Sequence, residues 1–449
     1  MKMEIPEKVG RIIRTLKNHG YEAYAVGGCV RDTILGRTPE DWDITTSATP
    51  DETKALFDKT VDTGIEHGTI TVLIDREGFE VTTYRIDGEY EDSRHPKEVM
   101  FTRSLEEDLK RRDFTINAMA YNEEEGLVDI FGGVKDLNNK IIRCVGEPKE
   151  RFSEDALRIL RAVRFSAQLG FAIEENTRAA IQVFAKTLQN ISAERIQTEL
   201  VKLLVSSHPE KVKELYKLGI TKVILWEFDR MMQTSQETPY HDANVGEHTL
   251  RVLRNVRADK YLRLTALLHD VGKTDAKTVD EKGIAHFKGH GEIGEVMAKK
   301  ILKRLKFDND TLRKVCLLVR YHDYLYQDEI TAKKVRRAMN LIGKEMFPYY
   351  LEIRKADIKG QSSYRRKEKE ENIKAVEMYY RRSLENQECV SIKELAVSGK
   401  DLIAVGISPG PRLGKILERL LDEVIDEPER NKKDILLEKA REYIKLENQ

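Results

Sequence analysis

The sequence predicts an α+β protein in which a mixed α/β head is followed by an all-helical remainder. Three observations predict it. Short β-rich runs bounded by Gly, Asp or Pro recur through the first 145 or so residues: EAYAVGG, WDITT, GTITVLI, FEVTTYRI and KIIRCVG. Strand signals then nearly vanish after Glu150. Helical periodicity takes over in segments such as SEDALRILRAVRFSAQLG and SAERIQTELVKLLVSS.

A chain of 449 residues is long enough for roughly three domains with substantial cores. Strand content, histidine placement and a late charged run, RRKEKEENIK, divide it into four parts: an α/β head at 1–148, a helical neck at 149–234, a histidine-bearing helical domain at 235–345 and a helical tail at 346–449. Its 77 basic and 77 acidic side chains cancel, so no global charge draws it to nucleic acid or membrane, and any RNA-binding surface is local. Cys29, Cys144, Cys316 and Cys389 lie far apart without metal-type spacing and read as core residues in a reducing compartment. The opening MKMEIPEKVG has no apolar stretch of the signal-peptide kind, and no run approaches the ~18 apolar residues of a membrane span. The expectation is a cytoplasmic protein without membrane attachment; the sequence leaves its oligomeric state open.

In the head, PEDWDITT reads as a strand, so Asp41 and Asp43 project from one face while Trp42 and Ile44 take the other. Two carboxylates on one face repel unless a cation joins them. Mg2+ suits such a pair when substrate phosphates complete its oxygen shell; a solvated strand edge is the alternative. Gly27 and Gly28 end the preceding strand and lead into a helix expected near Arg31 and Asp32, where backbone N–H groups from Gly28 onward can meet a triphosphate. Glu80, sharing a face of FEVTTYR with Thr82 and Tyr84, is the candidate third carboxylate for a two-metal arrangement, or else a surface residue.

The run AVGGCVRDTILGRTPEDWDITTSATP resembles the signature of class II tRNA nucleotidyltransferases, the CCA-adding enzymes, whose relatives include bacterial poly(A) polymerases. The likeness continues in order through GIEHGTITVL, RRDFTINAMA, DIFGGVKD, SEDALRILRAVRF and AERIQTEL, covering about the first 200 residues. It implies a polymerase-β-like head followed by neck, body and tail domains, with CTP, ATP and the tRNA 3′ end as partners. It also implies that Arg112 and Asp113 lie beside the ribose and triphosphate, although Asp113 reads equally as a helix cap.

In the helix expected after an N-capping Ser153, Asp155, Arg158, Arg161 and Arg164 recur every three residues as a polar ridge. An Asp beside an Arg offers an acceptor and a donor in fixed array. Cytosine and adenine satisfy both, whereas uracil and guanine set a carbonyl oxygen against the carboxylate and leave it unpaired. An ordinary surface ion pair fits the same spacing. The resemblance implies that Asp155 and Arg158 read the base as a protein template, and that Arg161 and Arg164 help to bind the nucleotide.

The segment DGEYEDSRHPKEVMFTRSLEEDLK resembles the family's flexible loop, which is shortened in enzymes adding only CC. A full CCA-adding enzyme and one adding only the terminal A both remain compatible. Poly(A) polymerase fits less well, because GIEHGTITVL has the nucleotidyltransferase form and there is no strongly basic C-terminal extension.

Residues 235–345 hold six of the ten histidines. The order of His248, His269-Asp270 and Asp323 resembles the HD superfamily of metal-dependent phosphohydrolases. That resemblance implies those four as ligands, with His286 and His290 near a possible second metal. Mixed imidazole and carboxylate donors suit Mn, Ni, Co, Fe or Zn, and such a metal would activate water against a phosphoester. His241-Asp242, in a polar loop, is expected to be unrelated. The expected reaction is metal-assisted, in-line attack of a tRNA 3′-hydroxyl on the α-phosphate of CTP or ATP, with loss of pyrophosphate. The competing expectation makes the phosphohydrolase the principal activity.

Overall fold

The head is built on five early strands: β1 (Ala23–Val26), β2 (Ile44–Thr46), β3 (Thr60–Gly64), β4 (Thr69–Ile74) and β5 (Glu77–Thr83). The computed structural model describes residues 2–87, 99–325 and 329–447. A seven-stranded mixed sheet runs in the order β3-β4-β5-β2-β1, then Ala120–Asn122 and Gly126–Val128. Within it, β2 and β5 are parallel, with Ile44 opposite Val81, and the other pairs are antiparallel. Alternation decides the faces: Ile70, Val72 and Ile74 of β4 and Phe79, Val81 and Thr83 of β5 are buried, while Glu80 is exposed. The helix Glu7–Asn18 buries Val9, Ile12, Ile13 and Leu16, a stripe at helical spacing. Each of these side chains contributes about 1.5–3 kcal/mol relative to exposure.

Three expectations are corrected here. β2 begins at Ile44, so Asp41 and Asp43 lie in the approach to the strand; only the Asp43 carbonyl is tied into the sheet, accepting from Val26 N at 3.0 Å. The helix after the glycine pair spans Gly28–Ile34 and starts directly at the turn, so Arg31 and Asp32 sit inside it. Tyr84 lies beyond the end of β5 and is fully buried, so it does not share an exposed face with Glu80. The KIIRCVG run does pair, but outside the head sheet: Ile141–Ile142 joins Ala172–Ile173 in parallel.

The chain forms two compact units, Met1–Asp229 and Arg230–Gln449. The first ends in helices that include Pro148–Glu154, Leu157–Leu169 and Ala193–Leu204. Among the described residues the second is helical apart from one short antiparallel pair, Thr278–Val279 with Ala285–His286. Helices Val245–Asn255, Lys260–Leu268, His290–Arg304, Asn309–Tyr321 and Phe347–Gly360 carry or adjoin its polar centre. A separate apolar cluster at the C-terminal end gathers Leu402, Ile416, Leu420, Val424, Leu436 and Ala440. No helix among the described residues is long and apolar enough to cross a membrane.

Candidate functional site

Two polar centres stand out, one in each unit. In the first, Gly27 adopts φ +80° at the end of β1, a conformation that favours glycine, and a Cβ there would lie 3.0 Å from the Arg112 guanidinium. The turn therefore brings backbone and guanidinium into contact. Gly28, Arg31, Asp41, Asp43 and Arg164 all line one open cavity. Extending the β2–β5 register back by one residue sets Asp43 beside Glu80. Burial, then Asp43 and Asp41, raise the Glu80 carboxyl; burial also raises Asp43, which Arg112 partly offsets and Asp41 reinforces. The negative charge gathered at Asp43 and Glu80, with Asp41 beside them, is what a divalent cation would relieve. Asp41, Asp43 and Glu80 thus have the chemistry to hold one.

The arginines are held by carboxylates that the sequence reading passed over. Asp108 is completely buried and accepts from Arg111 at 2.6 and 2.9 Å, from Arg112 at 3.4 Å and from the Thr45 hydroxyl at 3.2 Å. Burial works against its charge, but Arg112 and Arg111 outweigh it and lower the pKa. Glu199, on the helix Ala193–Leu204, meets Arg164 at 2.7 Å. Arg195, one turn earlier, donates to Asp155 at 2.9 Å. In sequence these residues look like surface charges in polar runs. The only early signal was AERIQTEL, whose 195/199 spacing puts both on one helix face.

Asp113 is buried and caps its own turn, its Oδ1 accepting from Phe114 N at 2.8 Å and from Asn117 at 3.1 Å. Its Oδ2 accepts from Arg161 at 2.7 Å. Burial alone would raise this carboxyl; Arg161 and the Asn117 hydrogen bond override that and hold it at about 2. Arg31 spans Asp32 at 2.8 Å and the side-chain amide oxygen Oδ1 of Asn117 at 2.7 Å. Arg164 is lowered to about 10, first by burial and then by Arg161, against the pull of Glu199.

The expected continuous ridge is broken. Ser153 lies in the last turn of the helix Pro148–Glu154, its hydroxyl on Glu150 O, and does not cap the following helix. Asp155 stands in extended backbone between two helices and accepts from Leu157 N at 3.0 Å. The local cap outcompetes helix continuation, the ordinary tendency of Asp at such a boundary. Asp155 then pairs with Arg195, while Arg158 donates to Glu154 and to the carbonyls of Arg151 and Arg111. Asp155, Arg158, Arg161, Arg112 and Asp113 surround the cavity's arginine cluster but are not among its lining residues. Of the segment 87–110 expected to switch nucleotide addition, residues 88–98 lie outside the described residues; the rest forms the strand Val99–Phe101, paired with Arg85–Asp87, and the helix Leu105–Lys110.

The second centre is more tightly built. His248, His269 and Asp270 converge, as do Asp270, His290 and His322. Asp270 bridges the two sets, its Oδ2 at 3.5 and 3.3 Å from His248 and His269 Nε2 and its Oδ1 at 3.6 and 3.4 Å from His290 and His322 Nε2. His269, His290 and His322 each donate from Nδ1 to a carbonyl, of Ala266, Phe287 and Val319, at 2.7–2.9 Å. That tautomer leaves Nε2 as an acceptor. Nε2 of His269 faces that of His248 at 3.3 Å, and Nε2 of His290 faces that of His322 at 3.2 Å, around an Asp270 carboxylate that Lys273 also meets at 2.8 Å; such an imidazole and carboxylate set has the chemistry to hold a cation. Asp357 completes the centre at 3.0 Å from His248 Nε2. Burial opposes its charge, but His248 and Arg354 hold its carboxyl well below the usual range.

Of the sequence-selected residues, His248, His269 and Asp270 come together. Asp323 is 41% exposed and, among the described residues, meets the centre through His290 at 3.6 Å, while the neighbouring His322 points inward. His286 is turned away onto Asp280 at 2.9 Å, whereas His290 is inside. His241, expected to be unrelated, packs edge-on against His248 with ring centroids 4.8 Å apart. His322, Asp357 and His241 were missed because chain order does not say which turn of a helix faces inward.

Comparison with known proteins supplies names. The poly A polymerase head domain matches residues 23–143, a probable RNA and SrmB binding site of polymerase A matches 170–232, and a putative tRNA nucleotidyltransferase domain 2 matches 278–440. A CCA-adding enzyme of Levilactobacillus brevis is 36% identical over 95% of both chains. That of Limosilactobacillus reuteri is 37% identical over 97% of this chain and 96% of its own. The crystal structure of the Bacillus stearothermophilus CCA-adding enzyme in complex with CTP superposes with a TM-score of 0.73 at 32% identity, covering 99% of this chain and all of that one.

Proposed function

The chain belongs to the family of CCA-adding enzymes, and from that premise we propose how its residues divide the work of building CCA on tRNA from CTP and ATP. It is a nucleotidyltransferase that uses divalent metal. The carrying observation is the electrostatic proximity of Glu80 to Asp43 and Asp41, both of which line the cavity that Gly28, Arg31 and Arg164 also line. Asp41, Asp43 and Glu80 would hold Mg2+, whose charge would supply activation of the 3′-hydroxyl and stabilisation of the leaving pyrophosphate. The Gly27–Gly28 backbone, Arg31 and Arg112 orient the triphosphate. Asp113 anchors Arg161 behind it, and Arg164 faces the nucleotide from the neck.

Base choice falls to Asp155 and Arg158. Their present partners, Arg195 and Glu154, are exchanged for a base edge when a nucleotide enters, which favours the amine-bearing cytosine and adenine. The four-part division at 148, 234 and 345 is retained for function, with the metal centre of the third part extended to Asp357. That centre we assign to a transition metal such as Mn, Ni, Co, Fe or Zn, held by His248, His269, Asp270, His290, His322 and Asp357 in an accessory phosphohydrolase. The donors fit such a metal, because the acceptor lone pairs converge on one bridging carboxylate.

The test uses tRNA ending at its discriminator base or at CC, with CTP and ATP supplied singly and together, and reads product lengths. Growth of the first substrate by three nucleotides is expected only with both nucleotides. Extension of the CC-ended tRNA alone would reduce the activity to A addition, and long A tails would replace it with poly(A) synthesis.

A further inference from the structure

One aromatic ring in the first unit carries three guanidinium groups. The central carbon of Arg164 lies 3.9 Å from the centroid of Phe165, that of Arg31 5.1 Å and that of Arg161 5.4 Å. All are within the range in which a ring face attracts a cation. The ring is 5% exposed, and Phe114 meets it edge-on at 5.8 Å and 80°. That contact fixes the orientation of the ring from behind.

Three like charges around one point repel. Asp32, Asp113 and Glu199 each neutralise one of them, at 2.7–2.8 Å. Those carboxylates come from three separate segments, and each constrains a single guanidinium. Phe165 is the shared contact: Arg31 reaches it from the helix after the glycine turn, while Arg161 and Arg164 reach it from its own helix. An aliphatic side chain would fill the same space without a negative ring face.

We propose that Phe165 is a positioning residue for nucleotide binding, its ring gathering Arg31 and Arg164, which line the cavity, with Arg161 held behind them on Asp113. The role rests on the assignment of those arginines to the nucleotide. Binding is then pre-organised, because the guanidinium groups need not be gathered when the triphosphate arrives. The ring lines the same cavity as Arg31 and Arg164 and acts on the nucleotide through those arginines.

The test is progressive fluorination of the residue 165 ring in the full-length protein, which drains the ring face of negative charge with little change in shape. KM and kcat for CTP and ATP and the thermal midpoint are read across the series, beside Phe165→Leu, Arg31→Ala and Arg164→Ala. KM is expected to climb stepwise to about tenfold at trifluorination, the scale of a desolvated cation–π contact. The thermal midpoint and kcat should hold nearly constant. A flat KM across the series while the arginine variants raise it overturns the role of the ring alone. A flat KM in both overturns that role together with the assignment of the arginines.

Discussion

Glu199 meets the Arg164 guanidinium at 2.7 Å with both side chains less than a tenth exposed, so the helix Ala193–Leu204 holds a residue that lines the cavity beside Asp41 and Asp43. Removing one partner of a buried pair strands the other charge. Glu199→Ala is expected to cost about 3 kcal/mol in urea unfolding and to raise KM for both nucleotides. Glu199→Gln, which keeps an acceptor, should cost less.

Asp113 sets an acid limit on the head. Its pKa of about 2 lies below the value near 4 of an unfolded Asp. Its contribution is therefore fully present above pH 4 and lost as the pH falls toward 2, about 2 kcal/mol in all. Asp113→Asn should remove that pH dependence. Denaturation midpoints of wild type and variant measured from pH 5 to pH 2 should differ most at the upper end and converge at the lower.

Asp43 and Glu80 have the opposite sign. Their pKa values are raised, so each carboxylate is held in its charged form at a cost to folding above its unfolded pKa. Asp43→Asn is expected to leave the thermal midpoint unchanged or higher in metal-free buffer while abolishing incorporation, the trade-off typical of a strained site. Affinity for Mn2+, followed by titration calorimetry, should weaken as the pH falls through the raised carboxyl range, because metal and proton compete.

In the second unit the geometry ranks the ligands. Asp323→Ala should retain bound transition metal in elemental analysis, since among the described residues Asp323 meets the centre through His290. His322→Ala and Asp270→Asn should lose it, and nucleotide incorporation should survive Asp270→Asn. Loss of metal from Asp323→Ala with retention in His322→Ala would restore the assignment read from chain order.

The head was legible because strand alternation and glycine turns are local signals. EAYAVGG and GTITVLI each hold a strand and FEVTTYRI holds the end of β5 with Glu80, while Asp41 and Asp43 stand out from PEDWDITT, which enters the sheet only at Ile44. The neck was less legible. Asp155 fits a helical ridge by spacing alone, and the break depends on its capping of Leu157 and its pairing with Arg195, forty positions on. Asp108 and Glu199 resembled solvated acids; only the long-range arrangement of arginines and strands shows them buried. Asp357 lies on a helix whose polar and apolar residues do not segregate, so periodicity could not point it toward His248.

The central claim is that Asp41, Asp43 and Glu80 perform the chemistry while other residues bind and choose the nucleotide. Single-turnover addition of CMP to a tRNA lacking CCA, with CTP affinity measured separately, tests it most directly in Asp43→Ala. A rate loss of about a thousandfold or more with CTP affinity changed less than severalfold is the expected result. Incorporation within tenfold of wild type would contradict it.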